Sequence, residues 1–247
     1  MNDPAAQLNP ASSAGEVAAA VRALGDPVRA AGQRRFFKTG PGQYGEGDVF
    51  AGVRVPVLRS VSERLRGLEA PTVRALLDDE THEVRLLALL VLTLNADRAG
   101  DDEQADWVQL YREAARAARV NNWDLVDVSA DPVLGVWLVA AGDHRELLEW
   151  AAADDLWQRR IGIVGTFAFL KAGHAQPLLD VVPLVIGDRR DLIQKACGWM
   201  LRELGKRVDR ALLLDCLDAH AGAMGRTALS YATEHLTPAQ RAHYRSL

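Results

Sequence analysis

Trp123 and Asp127 stand four positions apart in the stretch Val120-Asn121-Asn122-Trp123-Asp124-Leu125-Val126-Asp127. Helical spacing puts an electron-rich ring and a carboxylate one above the other on the same face. An indole attracts cations. A carboxylate stabilises positive charge as it develops and can position a water. The plain structural reading is that Trp123 is core and Asp127 a solvated or paired acid. A second group lies between Asp191 and Lys206, where Lys195, Trp199, Arg202 and Lys206 follow 4-3-4 spacing and form one stripe. Ile193, Cys197, Met200, Leu201 and Leu204 lie mostly on the other side and read as core. A Trp within a row of cations suits an aromatic surface flanked by anion contacts; a solvated basic face with Trp199 half-buried is the alternative. A third group is Leu156-Trp157-Gln158-Arg159-Arg160, in which the two arginines point to different faces. At most one of them can share a site with Asp127, and Trp157 reads as core.

The elements that position these residues are helices. From Ala14 onward apolar residues recur at spacings of three and four, with no convincing alternation over a strand's length. The pattern predicts helices over about 14–25, 27–37, 55–67, 70–78, 82–95, 103–119, 122–141, 143–152, 155–172, 176–186, 190–206, 209–221, 224–235 and 238–245. Suitable punctuation separates them, as in Gly25-Asp26-Pro27, Ala141-Gly142-Asp143 and Thr237-Pro238. Asn121 and Asn122 fall where a helix begins and can accept from its unpaired amides. Short connections between paired helices predict an all-α fold, an α-solenoid of HEAT-like antiparallel pairs. Asp127, Arg160 and Trp199 are 33 and 39 positions apart, close to one such repeat. Equivalent positions of successive repeats line one concave surface, which is expected to collect the three. Residues 38–48, with four glycines in eleven positions, must be irregular. They lack the G-K-[ST] ending of a phosphate-cradling loop, and either a functional loop or a long connection fits.

Composition bounds the rest. The chain of 247 residues is long enough for one large domain, 49% of it is apolar and 25% charged. We expect a disordered lead-in over residues 1–13, rich in Ala, Ser, Asn and Pro, and a single helical-repeat domain over 14–247. No apolar run reaches membrane-spanning length, and the lead-in lacks a signal-peptide pattern. A cytoplasmic monomer is expected. Cys197 and Cys216 lack metal-ligand spacing. The net charge of −4 is concentrated in residues 1–26 and in the acidic run Asp97–Asp106, and the remainder is mildly basic. Local sign matters more than the total for a charged partner.

The residues also resemble a family. The stretches Phe36-Phe37-Lys38-Thr39-Gly40-x-Gly42-Gln43-Tyr44-Gly45-Glu46-Gly47-Asp48, Gly52-Val53-Arg54-Val55-Pro56 and His82-Glu83-x-Arg85-Leu86-Leu87-Ala88-Leu89 carry the likeness. So do Asn121-Asn122-Trp123-Asp124-Leu125-Val126-Asp127, Leu156-Trp157-x-x-Arg160, Lys195-Ala196-x-Gly198-Trp199-Met200-Leu201-Arg202-Glu203 and Arg226-Thr227-Ala228-Leu229. Together they resemble DNA alkylation repair proteins of the AlkD type, helical-repeat DNA glycosylases. The resemblance implies that two tryptophans and an aspartate lining a cleft fall on Trp123, Trp199 and Asp127 as catalytic residues. It places DNA contacts on Arg160 and Arg202, with Lys195, Lys206, Phe36 and Lys38 beside them. Phe36 stands where the family often has Tyr, and Gly225 where Pro is expected; the Gly-rich loop belongs to only part of the family.

The implied partner is duplex DNA with alkylated bases, and the implied reaction is excision of N3- or N7-alkylated purines in base excision repair. Alkylation there leaves the base cationic, so it departs readily while the sugar gains oxocarbenium character. Asp127 would stabilise that sugar, and the indoles would favour the charged lesion. Lys195, Lys206, Arg160 and Arg202 would bind phosphates whatever the sequence. The lesion is expected to stay stacked. No cofactor or metal is implied. Two other readings share the fold: a catalytically silent relative that binds branched or damaged DNA, and a HEAT-type scaffold for proteins.

Overall fold

The computed structural model describes residues 3–247. The elements among them are helical apart from one isolated bridge between Val49 and Thr81, so the fold is all-α. The chain divides into two compact units, one ending at Ser129 and the other beginning at Ala130, where the sequence leads us to expect a single domain. None of the described helices is long and apolar enough to cross a membrane.

The first unit comprises α1 (Ala14–Ala23), α2 (Pro27–Phe36), α3 (Val55–Arg64), α4 (Ala70–Leu77), α5 (His82–Ala96), α6 (Asp101–Arg116) and α7 (Trp123–Ser129). α5 is buried on every side from His82 to Leu92. A helix that is apolar all round belongs at the centre of a unit, and α3, α4, α6 and α7 pack on this one. Local signals set the helix starts. Ser13 and Glu16 close a capping box at α1, and the Asp26 carboxylate accepts from the Val28 and Arg29 amides with Pro27 in the first turn of α2. Residues 3–13 are not the disordered segment that their composition suggests. They form turns, Ala5 is fully buried, and Asp3 pairs with Arg64 at 3.2 Å. A small apolar contact and a charge partner 61 positions away leave no mark in local composition. Met1 and Asn2 lie outside the described residues.

The second unit comprises α8 (Val136–Ala141), α9 (Arg145–Ala152), α10 (Leu156–Lys171), α11 (Gln176–Val185), α12 (Asp191–Arg207), α13 (Arg210–His220), α14 (Arg226–Ala232) and α15 (Pro238–Ser246). It begins with a π-helical turn at Ala130–Gly135. The helix expected over 122–141 is therefore interrupted. Pro132 has no N–H to donate and its ring crowds the carbonyl four residues back, and the wider turn passes the obstruction. α10 is the buried centre of this unit, with α9, α11, α12 and the π turn against it. α12 packs in turn on α14. Gly198 permits their approach: a Cβ there would lie 2.4 Å from the Ala228 carbonyl oxygen.

Candidate functional site

In the first unit the site is built around the start of α7. Trp123 is half-buried and packs on the cluster Ala30, Phe37 and Phe50. Its indole lies nearly parallel to the Phe37 ring, with centroids 5.2 Å apart and planes 14° apart. Phe36 meets the same indole edge-on at 5.9 Å and is 66% exposed. Asp127 is half-buried one turn further along. Burial pushes the Tyr111 phenol well above its ordinary value, and the nearby Asp127 charge adds to the effect. Lys38, also exposed, holds its ammonium 5.9 Å from the Tyr44 ring centre. The unit thus brings Phe36 and Trp123 together, with Asp127 on the same short helix.

A buried polar network fixes that helix start. Asn122 Oδ1 accepts from the Trp123 amide at 2.9 Å, and Asn122 Nδ2 donates to Asp48 at 3.0 Å. Asn121 Nδ2 donates to Asp48 at 3.3 Å and its Oδ1 accepts from Arg85 at 3.2 Å. Arg85 also pairs with Asp48 at 2.6 Å. His82 stands between two carboxylates, Nδ1 at 3.3 Å from Asp48 and Nε2 at 2.8 Å from Asp124. Burial works to lower the His82 pKa, but the hydrogen bonds and charges of Asp124 and Asp48 outweigh it and raise it to about 9. For Asp48 burial is again the opposing influence; His82, Arg85 and Asn122 hold its carboxyl below the ordinary value. Next to His82, the Glu83 carboxylate accepts from the amides of Ala51, Gly52 and Val53 at 2.9, 2.7 and 3.2 Å. The Gly-rich loop is irregular, as its composition requires, and delivers Asp48 to this network. Gly45 passes so close to Phe37 that a Cβ would lie 2.3 Å from its carbonyl oxygen.

The second unit presents the α12 stripe. Trp199 is half-buried, with its ring centre 5.7 Å from that of Phe167 on α10. Lys171 and Arg207 both lie over Phe167, at 5.2 and 4.9 Å from its centre. Lys206 is exposed. Two other cations of the stripe have acidic neighbours: Lys195 pairs with Asp191 at 2.8 Å, and Arg202 with Glu234 and, at 3.5 Å, with Glu203. Arg160, expected as a DNA contact, lies inside the unit. It is 4% exposed, and its Nη1 donates to the Leu192 carbonyl at 2.6 Å. A guanidinium spent on the first turn of α12 holds α10 to α12 and does not face solvent. Asp131, in the π turn, is buried and bound to Lys171 at 2.7 Å; burial raises its pKa and Lys171 offsets part of the rise.

Comparison with known proteins bears on this arrangement. The family model described as DNA alkylation repair enzyme matches residues 17–236. The chain belongs to the DNA alkylation repair enzyme family. Its role therefore lies in the repair of alkylated DNA, with DNA as the substrate. A solved structure from Enterococcus faecalis, described as a predicted DNA alkylation repair enzyme, is similar in fold. It is 18% identical, with a TM-score of 0.66, over 87% of this chain and 97% of that one. No curated protein matches the chain.

The sequence alone gives the buried polar network no role. Asp48, His82, Arg85 and Asp124 entered only as parts of a likeness. A usable signal was present: three ionisable residues, His82, Glu83 and Arg85, open a helix that is otherwise apolar all round. Charged groups at the core are retained only when paired. Phe167 gave no such signal, because an aromatic on an apolar helix reads as core.

Proposed function

We propose that the protein is a DNA glycosylase that hydrolyses the N-glycosidic bond of N3- and N7-alkylated purines in duplex DNA. The observation that carries this reading is the half-buried pair Trp123 and Asp127 on one short helix, with the indole backed by Phe37 and edged by the exposed Phe36. Loss of a cationic base leaves positive charge on the sugar, and the Asp127 carboxylate is the group able to stabilise it and to orient water for the attack. The Trp123 face favours a cationic lesion over a neutral base by about 0.5–2 kcal/mol. The second unit offers its own indole, Trp199, with Lys206, Lys195 and Arg202 as phosphate contacts that need no base sequence. Arg160 serves from inside, by fixing the start of α12.

Purified protein should release N7-methylguanine or N3-methyladenine from methylated duplex DNA. Asp127→Asn keeps the shape and removes the charge, so it should lose about 100-fold or more in release rate while binding the same duplex unchanged. Equal release by that variant rejects the role given to Asp127. Failure of the wild type to release any methylated base, with tight binding to a branched duplex, replaces the glycosylase with a silent DNA-binding relative.

A further inference from the structure

The polar network behind α7 does more than fill the core. His82 is 1% exposed, and each of its ring nitrogens faces a carboxylate oxygen, Asp48 on one side and Asp124 on the other. A neutral imidazole has one N–H and can satisfy only one of them; the imidazolium donates to both. With Arg85 paired to Asp48, the group then holds two cations and two anions and is neutral inside the unit. The remaining charged neighbour on α5, Glu83, has its carboxylate committed to three backbone amides of residues 51–53. The ring is also part of an aromatic stack. Phe50 lies 4.5 Å away with planes 24° apart, Phe37 lies 5.1 Å away, and Phe37 carries the Trp123 indole on parallel planes. Two routes therefore run from one imidazole to the proposed site. One is through Asp124, the residue after Trp123; the other is through Phe37 to the indole face.

We propose that His82, bridging Asp48 at the end of the Gly-rich loop and Asp124 in the first turn of α7, is the positioning residue that orients Trp123 and the helix carrying Asp127. It does not touch substrate. Its proton locks loop and helix together, and loss of that proton frees one of the two carboxylates and leaves an unbalanced buried negative charge. The Trp123 ring and the Asp127 carboxylate then lose their fixed direction. This inference rests on the glycosylase reading for its effect on rate, but not for its effect on structure.

The test follows histidine and tryptophan signals in the full-length protein by NMR between pH 6 and 10.5, with His82→Gln and Trp123→Phe spectra used for assignment. His82 should hold its proton to near pH 9, and the Trp123 indole N–H signal should shift with the same midpoint. Release of methylated bases should fall over the same range, by up to about 100-fold. Asp124→Asn should move both midpoints down by about 1–3 pH units, because one of two carboxylate partners is gone. An indole signal that stays flat while His82 titrates overturns the proposal, as does a His82 that titrates at its ordinary value. An indole that follows His82 in a protein with no base release at any pH upholds the positioning role and rejects the glycosylase reading alone. The wild-type titration carries the decision if a variant fails to fold.

Discussion

At the scale of the residue, charge and ring face divide the work. Trp123→Leu keeps apolar volume but removes the π face. Release of a cationic methylpurine should fall relative to release of a neutral damaged base by roughly 2- to 30-fold, the equivalent of a cation–π contact of about 0.5–2 kcal/mol. An unchanged ratio, measured on one duplex with each lesion, would put the indole out of contact with the base. The buried imidazole has a consequence for stability as well. The His82 pKa rises on folding from 6.5 to about 9, so its contribution is fully present below pH 6.5 and is lost as pH climbs through 9. On the order of 3 kcal/mol is at stake. Asp48 has the opposite sign: its pKa is lowered, so its contribution holds above pH 3.8 and fades on acidification. Urea unfolding at pH 6, 8 and 10 should show stability declining towards alkali, and His82→Gln should flatten that decline. Of these groups, the shared helix of Trp123 and Asp127 was legible from their four-residue spacing, and both are half-buried on α7. Asp48 was not: its partners lie 34 to 74 positions away, and nothing local in a Gly-rich loop distinguishes an acid bound for the core.

At the scale of the element, the helices follow from apolar periodicity and caps, and most begin and end within a few residues of where those signals put them. The departures have local causes that periodicity ignores. The π turn at Ala130–Gly135 follows from Pro132. The acidic residues Asp101, Asp102 and Glu103 occupy the first turn of α6, where the exposed amides and the helix dipole favour negative charge. Part of the acidic run therefore reports a helix start. Arg160 shows the limit of repeat spacing, which fixes a position in sequence and says nothing about whether the side chain faces a partner or a neighbouring helix. The approach of the irregular segment Ala51–Val53 to α5 depends on Glu83, whose two oxygens accept three amides. Glu83→Gln keeps the size but replaces one acceptor by a donor aimed at amide hydrogens. A loss of about 2–4 kcal/mol is expected, the cost of breaking buried charge-assisted hydrogen bonds, with faster hydrogen exchange at Gly52 and Val53. Wild-type exchange at those two amides would remove Glu83 as the clamp.

At the scale of the whole molecule, an acidic protein must still hold an anionic polymer. The total charge of −4 gives no guide, since the acids of α6 and the cations of α12 lie on different elements. What decides affinity is how many cations are available to replace the counterions of DNA. Each phosphate neutralised adds about 0.9 to the slope of log K against log salt. Cations that already hold a carboxylate exchange one anion for another and release fewer counterions on binding. Lys195, paired with Asp191, and Arg202, paired with Glu234, belong to that class. Lys206, exposed at the end of the stripe, should act with its full charge. Lys206→Ala is therefore expected to reduce the slope by about 0.9 and to weaken binding equally for all duplex sequences. Lys195→Ala should reduce it by less, and Asp191→Asn should restore to Lys195 a larger share and steepen the slope. Fluorescence anisotropy on two unrelated duplexes across a salt series separates these outcomes. Equal slopes for wild type and Lys206→Ala would move the phosphate contacts off this end of α12, and a larger change for Lys195→Ala would show that its carboxylate partner is released before DNA arrives.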